Sequence, residues 1–522
     1  MKGERAENSA ECMKFFLNSE QAKRVDQYSI QQIGIPSMVL MERAALAVVQ
    51  ELERRESKEE SILCICGTGN NGGDGIAVAR ILHQKGYKVA CELVGDTGKC
   101  TKDNKVQQEI AKKLGVKFVN NGEEDEYTVV VDALFGIGLT RIIEGEYKEH
   151  INGLNRLQKK IYAIDIPSGI STDSGQVMGC AIQATCTITF GYAKNGVLLY
   201  PGAEYAGELV IADIGFSRDL EKEWNTTYFE EEDVRKLLPA RRVDANKGTY
   251  GKVLIIAGSH NMAGACYFSA KAAYYTGAGL VKIISCEENR EVLQQLIPEA
   301  VLITYSADTM DQDLQQIQRE VLQADAIVVG PGLGRSKFAK DIVKLVVENS
   351  QVPTVLDADA LHILAEERKE LPEYDGGEIQ WGLPSHFIVT PHLKEMVDML
   401  GANCSIKMLK EQKMEIAEKY KKNSCVLVLK DARTLVLQGE KCYINLSGND
   451  GMATGGSGDV LTGIIAGLLG QGMDPYAAAM LGTFLHGRAG DYARKRKGRY
   501  SMLAQDIILA LSEVLQEFDE EW

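Results

Sequence analysis

The chain has 522 residues, a length at which a single hydrophobic core usually divides, so two or more domains are expected. Its apolar fraction of 45% and charged fraction of 25% are typical of a soluble globular protein. The formal net charge of −15 argues against nucleic acid or an anionic membrane as a principal partner.

The twelve cysteines show neither a dense disulfide framework nor paired metal-ligand spacing. Cys64 and Cys66 are too close together for a zinc pair, and we interpret them as buried strand residues, which predicts reduced thiols. The polar segment Met1–Cys12 has no apolar core of the kind a signal peptide carries, and no apolar run is long enough to span a membrane. We therefore expect a cytoplasmic protein.

Two helices open the chain. Asn18 or Ser19 is expected to cap a helix that continues to Ile30, and Gly34-Ile35-Pro36 separates it from a second helix over Met38–Leu52. The charged run Glu51–Glu60 that follows indicates a solvated face and linker.

A strand, a glycine-rich loop and a helix come next, at Ile62–Cys66, Gly67–Gly75 and Ile76–Gln84. The loop satisfies G-x-G-x-x-G, which alone is a weak sign of dinucleotide binding. A dehydrogenase would also need an acidic residue closing the second strand, and the only candidate, Glu92, lies inside that strand. The amide and carboxylate oxygens within the loop favour a cation or a polar ligand instead.

Alternating strands and helices continue to the end of the first half. Further strands are predicted at 88–94, 116–120, 128–134, 161–166, 185–190 and 209–214. This pattern predicts a mostly parallel, doubly wound sheet that binds ligands beyond the carboxyl ends of its strands. Asp132, Asp165 and Ser168 lie at such ends. Either aspartate alone could equally be a structural residue that accepts bonds from loop amides, but their convergence with Asn71 and Asp74 favours a site.

The run Gly-Asn-Asn-Gly-Gly-Asp-Gly at 69–75, Asp132 before Phe-Gly-x-Gly, and Asp-Ile-Pro-Ser-Gly at 165–169 together resemble the NAD(P)H-hydrate epimerase domain over about 17–214. The resemblance implies a Rossmann-like three-layer α/β/α domain, which we place at 1–225, and a K⁺ ion held through Asn71, Asp132 and Ser168. It makes Asp165 the candidate catalytic acid or base, while the group that moves the proton stays open. It also implies these substrate contacts: Asn70, Asn71, Gly72, Gly73, Asp74, Gly136, Ile137, Gly138, Leu139, Thr140, Arg141, Ile142 and Asp165.

The second half repeats the alternation after a weak acidic stretch over 224–232. Strands are predicted at 253–257, 281–285, 326–329, 354–356, 387–389 and 426–429, with a helix over Cys266–Tyr275. Four strand ends carry polar or glycine motifs: Gly330–Gly334, Asp357–Leu361, Thr390–Glu395 and Lys430–Thr434. Taken alone, His392 could be a satisfied surface residue, and Lys430 and Arg433 could be ordinary surface cations.

A glycine-rich run, Asn449–Gly463, leads into the apolar segment Leu461–Leu469, so this loop is expected to open a helix whose free N–H groups favour an anion. Asp459 stands out, because a carboxylate beside a phosphate is repelled unless it has a task such as removing a proton from an attacking hydroxyl. Asp459 could instead simply cap the helix.

These pieces, with Lys247–Gly251, resemble the NAD(P)H-hydrate dehydratase branch of the ribokinase-like superfamily from about Asp244 to the end. The resemblance implies a ribokinase-like α/β domain, placed at 226–522, that dehydrates the S epimer with Mg²⁺ and with ADP or ATP. Asp459 would be its base and Glu395 an indirect Mg²⁺ ligand. The implied hydrate contacts are Ala265, Gly332, His392 and Asp459, and the implied adenine-nucleotide contacts are Lys430, Asp431, Ala432, Arg433, Thr434 and Gly458.

The sequence departs from the family pattern in two places. Leu393 and Lys394 stand where Pro-Gly usually precedes Glu395, and Asp431 replaces a glycine in the nucleotide segment, where it could repel a phosphate. Together the two halves resemble the bifunctional NAD(P)H-hydrate repair enzymes, for which we expect small-molecule substrates and a homo-oligomer. The alternatives are a small-molecule kinase and, in the first half, a non-catalytic binding module. ADP against ATP, and NADH against NADPH hydrate, stay open.

Overall fold

The computed structural model describes residues 13–120, 126–306, 310–367, 379, 381–401 and 404–519, so the segment Met1–Cys12 lies outside the described residues. The chain divides into two compact units. One unit is Phe15–Trp224, and the other begins at Asn225 and includes Met13 and Lys14. We keep the limit between 225 and 226 as the proposed domain boundary.

The N-terminal unit contains a parallel sheet in the order β4-β3-β2-β5-β6-β7-β9. Its strands are β2 (Ser61–Cys66), β3 (Lys88–Leu93), β4 (Lys117–Val119), β5 (Val129–Ala133), β6 (Lys160–Ile164), β7 (Cys186–Phe190) and β9 (Glu208–Ala212), while β1 (Lys14–Leu17) pairs with β8 (Ala193–Lys194). This is the Rossmann order, in which the direction of winding reverses between β2 and β5. The expected fold class of this half is confirmed.

Helices cover both faces of that sheet. They are α1 (Ser19–Gln31), α2 (Ser37–Arg55), α3 (Asn70–Gln84), α4 (Lys102–Lys113), α5 (Gly145–Arg156), α6 (Asn195–Leu198) and α7 (Gly202–Tyr205). Successive residues of β2 enter different cores, because side chains of a strand alternate between its two faces. Ile62 and Cys64 join the core that contains α2 and α3, whereas Leu63 and Ile65 join the core that contains α5. Because both faces of β2 are buried, its sequence is one continuous apolar run.

The C-terminal unit has a larger sheet. Its strands follow the order β13-β12-β11-β14-β15-β16-β17-β18-β19-β10, parallel from β13 to β17 and antiparallel across β17, β18 and β19. The ranges are β10 (Thr226–Tyr228), β11 (Lys252–Ile256), β12 (Leu280–Cys286), β13 (Val301–Tyr305), β14 (Ala326–Val329), β15 (Thr354–Leu356), β16 (Phe387–Val389), β17 (Val426–Leu429), β18 (Leu435–Gln438) and β19 (Lys441–Ile444).

The helices of this unit include a closely packed pair, Ala263–Tyr275 and Ser457–Gly470. In chain order the helices are α8 (Glu231–Leu237), α9 (Ala263–Tyr275), α10 (Arg290–Leu296), α11 (Met310–Val321), α12 (Lys337–Asn349), α13 (Asp359–Glu367), α14 (Leu393–Leu400), α15 (Ile406–Glu411), α16 (Lys413–Tyr420), α17 (Ser457–Gly470), α18 (Pro475–Lys497) and α19 (Ala504–Asp519). Helix α17 is buried from Val460 to Gly470 and packs against α9 in the main core. Among the described residues, no helix combines the length and apolar character needed to cross a membrane.

Three expectations need correction. Helix α3 begins at Asn70 rather than Ile76, so most of the glycine run is helical. Helix α9 begins at Ala263 rather than Cys266. The hairpin of β18 and β19 and the edge strand β13 were also not predicted, although 301–303 and 435–437 are apolar runs. β18 and β19 follow β17 without an intervening helix, outside the expected alternation of strands and helices.

Candidate active sites

The glycine run of the N-terminal unit forms the start of helix α3, with Gly69 as its capping residue. A Cβ atom at Gly72 would overlap the carbonyl oxygen of Gly67, so only glycine allows the helix to approach the end of β2 this closely. Buried Asn104 stabilises the same turn by donating from Nδ2 to the carbonyl oxygens of Gly67 (3.0 Å) and Gly69 (2.9 Å). The first turns of α3 therefore carry Asn71 and Asp74.

The predicted K⁺ ligands lie around the end of β5. Asp132 accepts hydrogen bonds from Ser168 N (2.8 Å), Ser168 Oγ (2.6 Å) and Leu134 N (3.2 Å). Burial raises the pKa of Asp132 to about 6, although these bonds oppose the shift. Asn71 touches the same region, since its Oδ1 lies 3.1 Å from where a Cβ of Gly136 would be.

The side-chain amide of Asn71 indicates whether the residues near Asp132 and Ser168 suit a cation. Its Nδ2 atom is buried and has no hydrogen-bond partner. Amide oxygen and nitrogen are assigned rather than observed, and exchanging them would direct an unpaired carbonyl oxygen into the same buried position. Because β2, β5 and β6 are adjacent parallel strands, Asn71, Asp132 and Ser168 all lie at or just after strand ends at one edge of the sheet. An unpaired amide oxygen, a carboxylate and a hydroxyl form a donor set that suits a hard cation. The residues present therefore fit the implied ion.

Asp165 follows β6 with φ of 68°, a left-handed conformation that is uncommon outside glycine. Its Oδ1 atom accepts hydrogen bonds from Lys194 Nζ (2.7 Å) and Thr189 Oγ1 (3.0 Å). Lys194 is only 4% exposed, so this is a buried ion pair. The contact arises because β6 and β7 are adjacent parallel strands whose carboxyl ends meet.

Two further carboxylates face Asp165. Burial, and then the charge of Asp165, raise the pKa of Asp26 above its ordinary value. Burial raises the pKa of Asp74 further, with additional contributions from Asp165, Asp26 and Asp103. Three acidic groups thus cluster around one lysine, and the two that lack an ammonium partner favour the protonated form.

The remaining predicted contacts of this unit lie along the segment after β5. Gly136 lies against Asn71, while Gly138, Thr140, Arg141 and Ile142 are exposed. Glu92, which a dehydrogenase would need for ribose, is buried inside β3 and its carboxylate is 2.7 Å from His150 Nε2. This side chain is therefore not available to a nucleotide.

In the C-terminal unit, Asp459 lies in the first turn of α17. Gly456 caps that helix with φ of 89°, which favours glycine and leaves the N–H groups of the first turn free of a side-chain cap. Burial and the nearby Asp357 and Glu395 raise the pKa of Asp459 to about 7, against the opposing effect of Lys430. A carboxylate with this pKa is half ionised at neutral pH, as a general base requires.

Asp357 forms the fixed centre of this site. It is 1% exposed and accepts hydrogen bonds from Thr390 Oγ1 (2.7 Å), Lys430 Nζ (2.7 Å) and Thr462 Oγ1 (3.0 Å). The Asp357 charge raises the pKa of Lys430 despite its burial. A Cβ at Gly458 would lie 3.3 Å from Lys430 Nζ, so the predicted nucleotide contacts Gly458 and Lys430 are neighbours.

His392 and Glu395 form a capping box at the start of α14. His392 Nδ1 accepts from Lys394 N and Glu395 N (both 3.1 Å), and Glu395 Oε2 accepts from His392 N (2.8 Å). Leu393 is the first residue of that helix, so the missing Pro-Gly leaves the cap intact. The imidazole of His392 is half exposed and remains accessible to a ligand.

Asp431, the second departure from the family pattern, is neutralised by a lysine. Lys413 Nζ donates to Asp431 Oδ2 (2.6 Å) and to the carbonyl oxygen of Arg433 (2.8 Å), and this lysine is 5% exposed. Thr434 Oγ1 in turn donates to Asp431 O (3.0 Å), and Ala432 is exposed at the tip of the turn. These hydrogen bonds hold the turn in place, and the negative charge of Asp431 is paired with Lys413.

Gly332 and Ala265, two predicted substrate contacts, come from separate strand-end segments. A Cβ at Gly332 would lie 3.0 Å from the Cβ of Ala265, so the two positions adjoin. His486 was not among the predicted site residues, and its Nε2 lies 3.3 Å from Ser457 Oγ at the start of α17. Burial lowers the pKa of His486 to about 4, so this imidazole is neutral beside the helix N-terminus.

Each half of the chain matches a known protein family. The family described as NAD(P)H-hydrate dehydratase matches residues 253–513, and the family described as YjeF-related protein N-terminus matches residues 37–196. The bifunctional NAD(P)H-hydrate repair enzyme Nnr of Moorella thermoacetica is 37% identical, covering 97% of this chain and 98% of its own. The enzyme of that name from Escherichia coli is 32% identical, covering 95% and 93%. The chain belongs to the family of bifunctional NAD(P)H-hydrate repair enzymes.

Membership in this family confirms the resemblance found in the sequence. A solved ADP/ATP-dependent NAD(P)H-hydrate dehydratase from Bacillus subtilis is 28% identical and covers 56% of this chain and 98% of its own, with a TM-score of 0.47. That score is too low to carry an argument about this chain.

Sequence reasoning missed the charged partners of the family's motif residues. Lys194 pairs with Asp165, and Lys413 pairs with Asp431, but neither lysine lies in a recognisable motif. Asp26, on helix α1, was also missed. Because these partners are separated from the motifs in the chain, only the fold brings them together, and no local pattern in the sequence marks them.

Proposed function

We propose that the chain repairs hydrated NADH and NADPH in two steps, with Asp165 serving the epimerase and Asp459 the dehydratase. The family has both activities: an NAD(P)H-hydrate epimerase interconverts the R and S hydrates, and a dehydratase returns the S hydrate to the reduced coenzyme. An epimerase in the same chain allows both epimers to be repaired. The observation that carries the proposal is the Asp459 carboxylate, with a pKa of about 7, in the first turn of α17.

The dehydratase chemistry follows from that placement. Hydroxide leaves the hydrated ring poorly, whereas a phosphate ester leaves well. Asp459 removes the proton of the substrate hydroxyl as the terminal phosphoryl group of ADP or ATP is transferred to it. The free N–H groups of the first turn of α17 and Lys430 stabilise the negative charge on that phosphoryl group. Phosphate then leaves C6 with its bonding electrons while a proton is lost from the adjacent C5, and the double bond that forms restores the dihydronicotinamide ring of NADH or NADPH.

Mg²⁺, when bound, would neutralise charge on the nucleotide phosphates. Within the described part of the chain, no group of three or more His, Cys, Asp or Glu side chains could hold a metal ion. Glu395 is 5% exposed, its Oε2 accepts from His392 N in the helix cap, and its Oε1 lies 3.4 Å from His392 Nε2, so this carboxylate would contact the ion through water. This donor set fits an ion that is held mostly by the nucleotide and by water.

In the epimerase unit, Asp165 holds or removes a proton at the C6 hydroxyl while the configuration at C6 is lost and regained. Asp132, Ser168 and Asn71 would hold K⁺, which supplies positive charge near the substrate. Asn70, Gly136 and the exposed segment up to Ile142 would contact the rest of the hydrate.

The test follows recovery of absorbance from a mixed R and S hydrate in the presence of ADP or ATP. We expect complete recovery with the intact chain, recovery of only the S portion with Asp165→Asn, and none with Asp459→Asn. Uncatalysed epimerisation is subtracted with an enzyme-free control. Full recovery by Asp459→Asn would refute the dehydratase assignment, and a stable phosphorylated product would favour the kinase alternative. A cytoplasmic location and a homo-oligomeric state remain predictions, testable by fractionation and light scattering.

A further inference from the structure

Lys194 is the buried cation that the reaction as described leaves without a role. We propose that Lys194 is a positioning residue for epimerisation, which holds Asp165 through Oδ1 so that Oδ2 faces the substrate. The inference rests on the proposed function of Asp165. It adds a residue outside the motifs through which the family was recognised.

The hydrogen bonds of Lys194 show that it acts through Asp165 rather than on the substrate. Its Nζ donates to Asp165 Oδ1 (2.7 Å), Thr189 Oγ1 (2.9 Å) and Phe190 O (2.8 Å). An ammonium group has three donors, so none remains for a ligand. With 4% exposure the side chain also offers no surface for contact.

Asp165 is held on one side only. Both bonds, from Lys194 and from Thr189, go to Oδ1, and no hydrogen bond to Oδ2 occurs among the described residues. The backbone of Asp165 is left-handed, which costs about 1 kcal/mol for a residue with a side chain, so the surrounding bonds must fix it. The result is a carboxylate whose orientation is determined and whose second oxygen is free to accept a proton.

The positive charge of Lys194 also matters, because Asp165 has acidic neighbours. Burial, and then the charge of Asp165, raise the pKa of both Asp26 and Asp74, so these two carboxyl groups lie near Asp165. Within the described residues, Lys194 is the cation that is hydrogen-bonded to Asp165. Removing it would leave a largely buried carboxylate without its ion-pair partner, which is strongly unfavourable.

The experiment compares epimerase kinetics of the full chain with Lys194→Met, Lys194→Ala and the matched control Lys160→Met. Lys160 also forms an ion pair, with Glu56 (2.9 Å), but it is the first residue of β6, at the end of that strand opposite to Asp165, and its side chain is 57% exposed. We expect Lys194→Met to lower the epimerase kcat about 100-fold with less than a threefold change in KM, because the lysine does not touch the substrate. The control should keep wild-type kinetics.

Two further measurements separate positioning from general structural damage. Dehydration of pure S hydrate by the same variants controls for the C-terminal unit, and the near-UV circular dichroism and urea-unfolding transition of each variant control for the N-terminal unit; we expect all of them to be close to those of the wild type. In Lys194→Ala, added ethylammonium or propylammonium should restore epimerisation at least fivefold, because a small ammonium ion can occupy the vacated space. The double variant Lys194→Met with Asp165→Asn should be no slower than Asp165→Asn alone, since the lysine acts through that carboxylate.

The outcomes distinguish this inference from the proposed function. If Asp165→Asn keeps wild-type epimerase activity, the function assigned to Asp165 fails. If Asp165→Asn is inactive but Lys194→Met is fully active, only the positioning role is overturned. A loss of activity in Lys194→Ala that no alkylammonium ion relieves would also overturn it.

Discussion

Replacing Asp459 by asparagine should remove dehydratase activity and, at the same time, stabilise the protein at neutral and alkaline pH. The pKa of Asp459 is raised from 3.8 to about 7, chiefly by burial and then by Asp357. A group whose pKa is higher in the folded than in the unfolded state destabilises the fold wherever it is ionised. That cost is absent below about pH 4 and fully present above about pH 7.

The magnitude follows from the shift. About three pKa units correspond to about 4 kcal/mol at most, and solvent screening of this partly exposed carboxylate reduces the value to about 2 kcal/mol. Asparagine keeps the size of the side chain and removes the charge. At pH 8 the Asp459→Asn variant should therefore gain about 2 kcal/mol in the free energy of unfolding, and near pH 4 it should gain nothing.

The assay is calorimetric unfolding at several pH values, together with the rate of S-hydrate dehydration. A gain of about 2 kcal/mol would raise the unfolding temperature by roughly 4–8 °C. In the wild type, kcat/KM for dehydration should fall about tenfold per pH unit below pH 7, because the base must be ionised. Asp450→Asn is the matched control, since Asp450 lies in the same run but is exposed and paired with Arg499. A variant that is less stable than the wild type at pH 8, or that retains activity, would refute this reasoning.

Three further changes test the remaining contacts. Asp132→Asn should abolish activation of the epimerase by K⁺. In the wild type, activation by K⁺ should weaken as the pH falls through about 6, because Asp132 becomes protonated. Epimerase rates measured at increasing KCl, with choline chloride as the control salt, test both expectations. Gly72→Ala should lower the free energy of unfolding of the N-terminal unit by about 3 kcal/mol, because the added Cβ would overlap the backbone of Gly67. Gly69→Ala is the control: a Cβ there meets open space, and the loss in urea unfolding should be under about 1 kcal/mol. Lys413→Met should raise the KM for nucleotide about tenfold by leaving Asp431 uncompensated, and the added change Asp431→Asn should restore it in steady-state kinetics.

The parallel strands were predictable because burial on both faces gives each of them a continuous apolar run. β14, β15, β16 and β17 have the predicted limits. β13 was missed although 301–303 is apolar; it is the edge strand of its sheet, and its residues are half buried or exposed. A short apolar run does not by itself distinguish a strand from a helix segment, and the pairing partner is supplied by the fold.

The start of helix α3 shows a different limit. Glycine and asparagine favour loops, so the run from Asn70 to Gly75 predicts a loop when propensity alone is considered. In the structure these small residues let the helix pack against the carbonyl oxygen of Gly67, and Asn104 supplies donors to the turn. Tertiary packing thus outweighs a local preference that costs on the order of 1 kcal/mol for each glycine.

The two proposed sites also show why charge partners are hard to predict. In each unit one strand-end carboxylate is neutralised by a lysine from a later strand end: Asp165 by Lys194 and Asp357 by Lys430. Each unit also has other carboxyl groups whose pKa is raised chiefly by burial: Asp26 and Asp74 in the first, and Asp459 in the second, where Lys430 opposes the shift. A carboxyl group whose pKa is raised by its surroundings is suited to acid–base chemistry near neutral pH. The motifs locate the acids, but which acid receives the lysine depends on the order of the strands in the sheet.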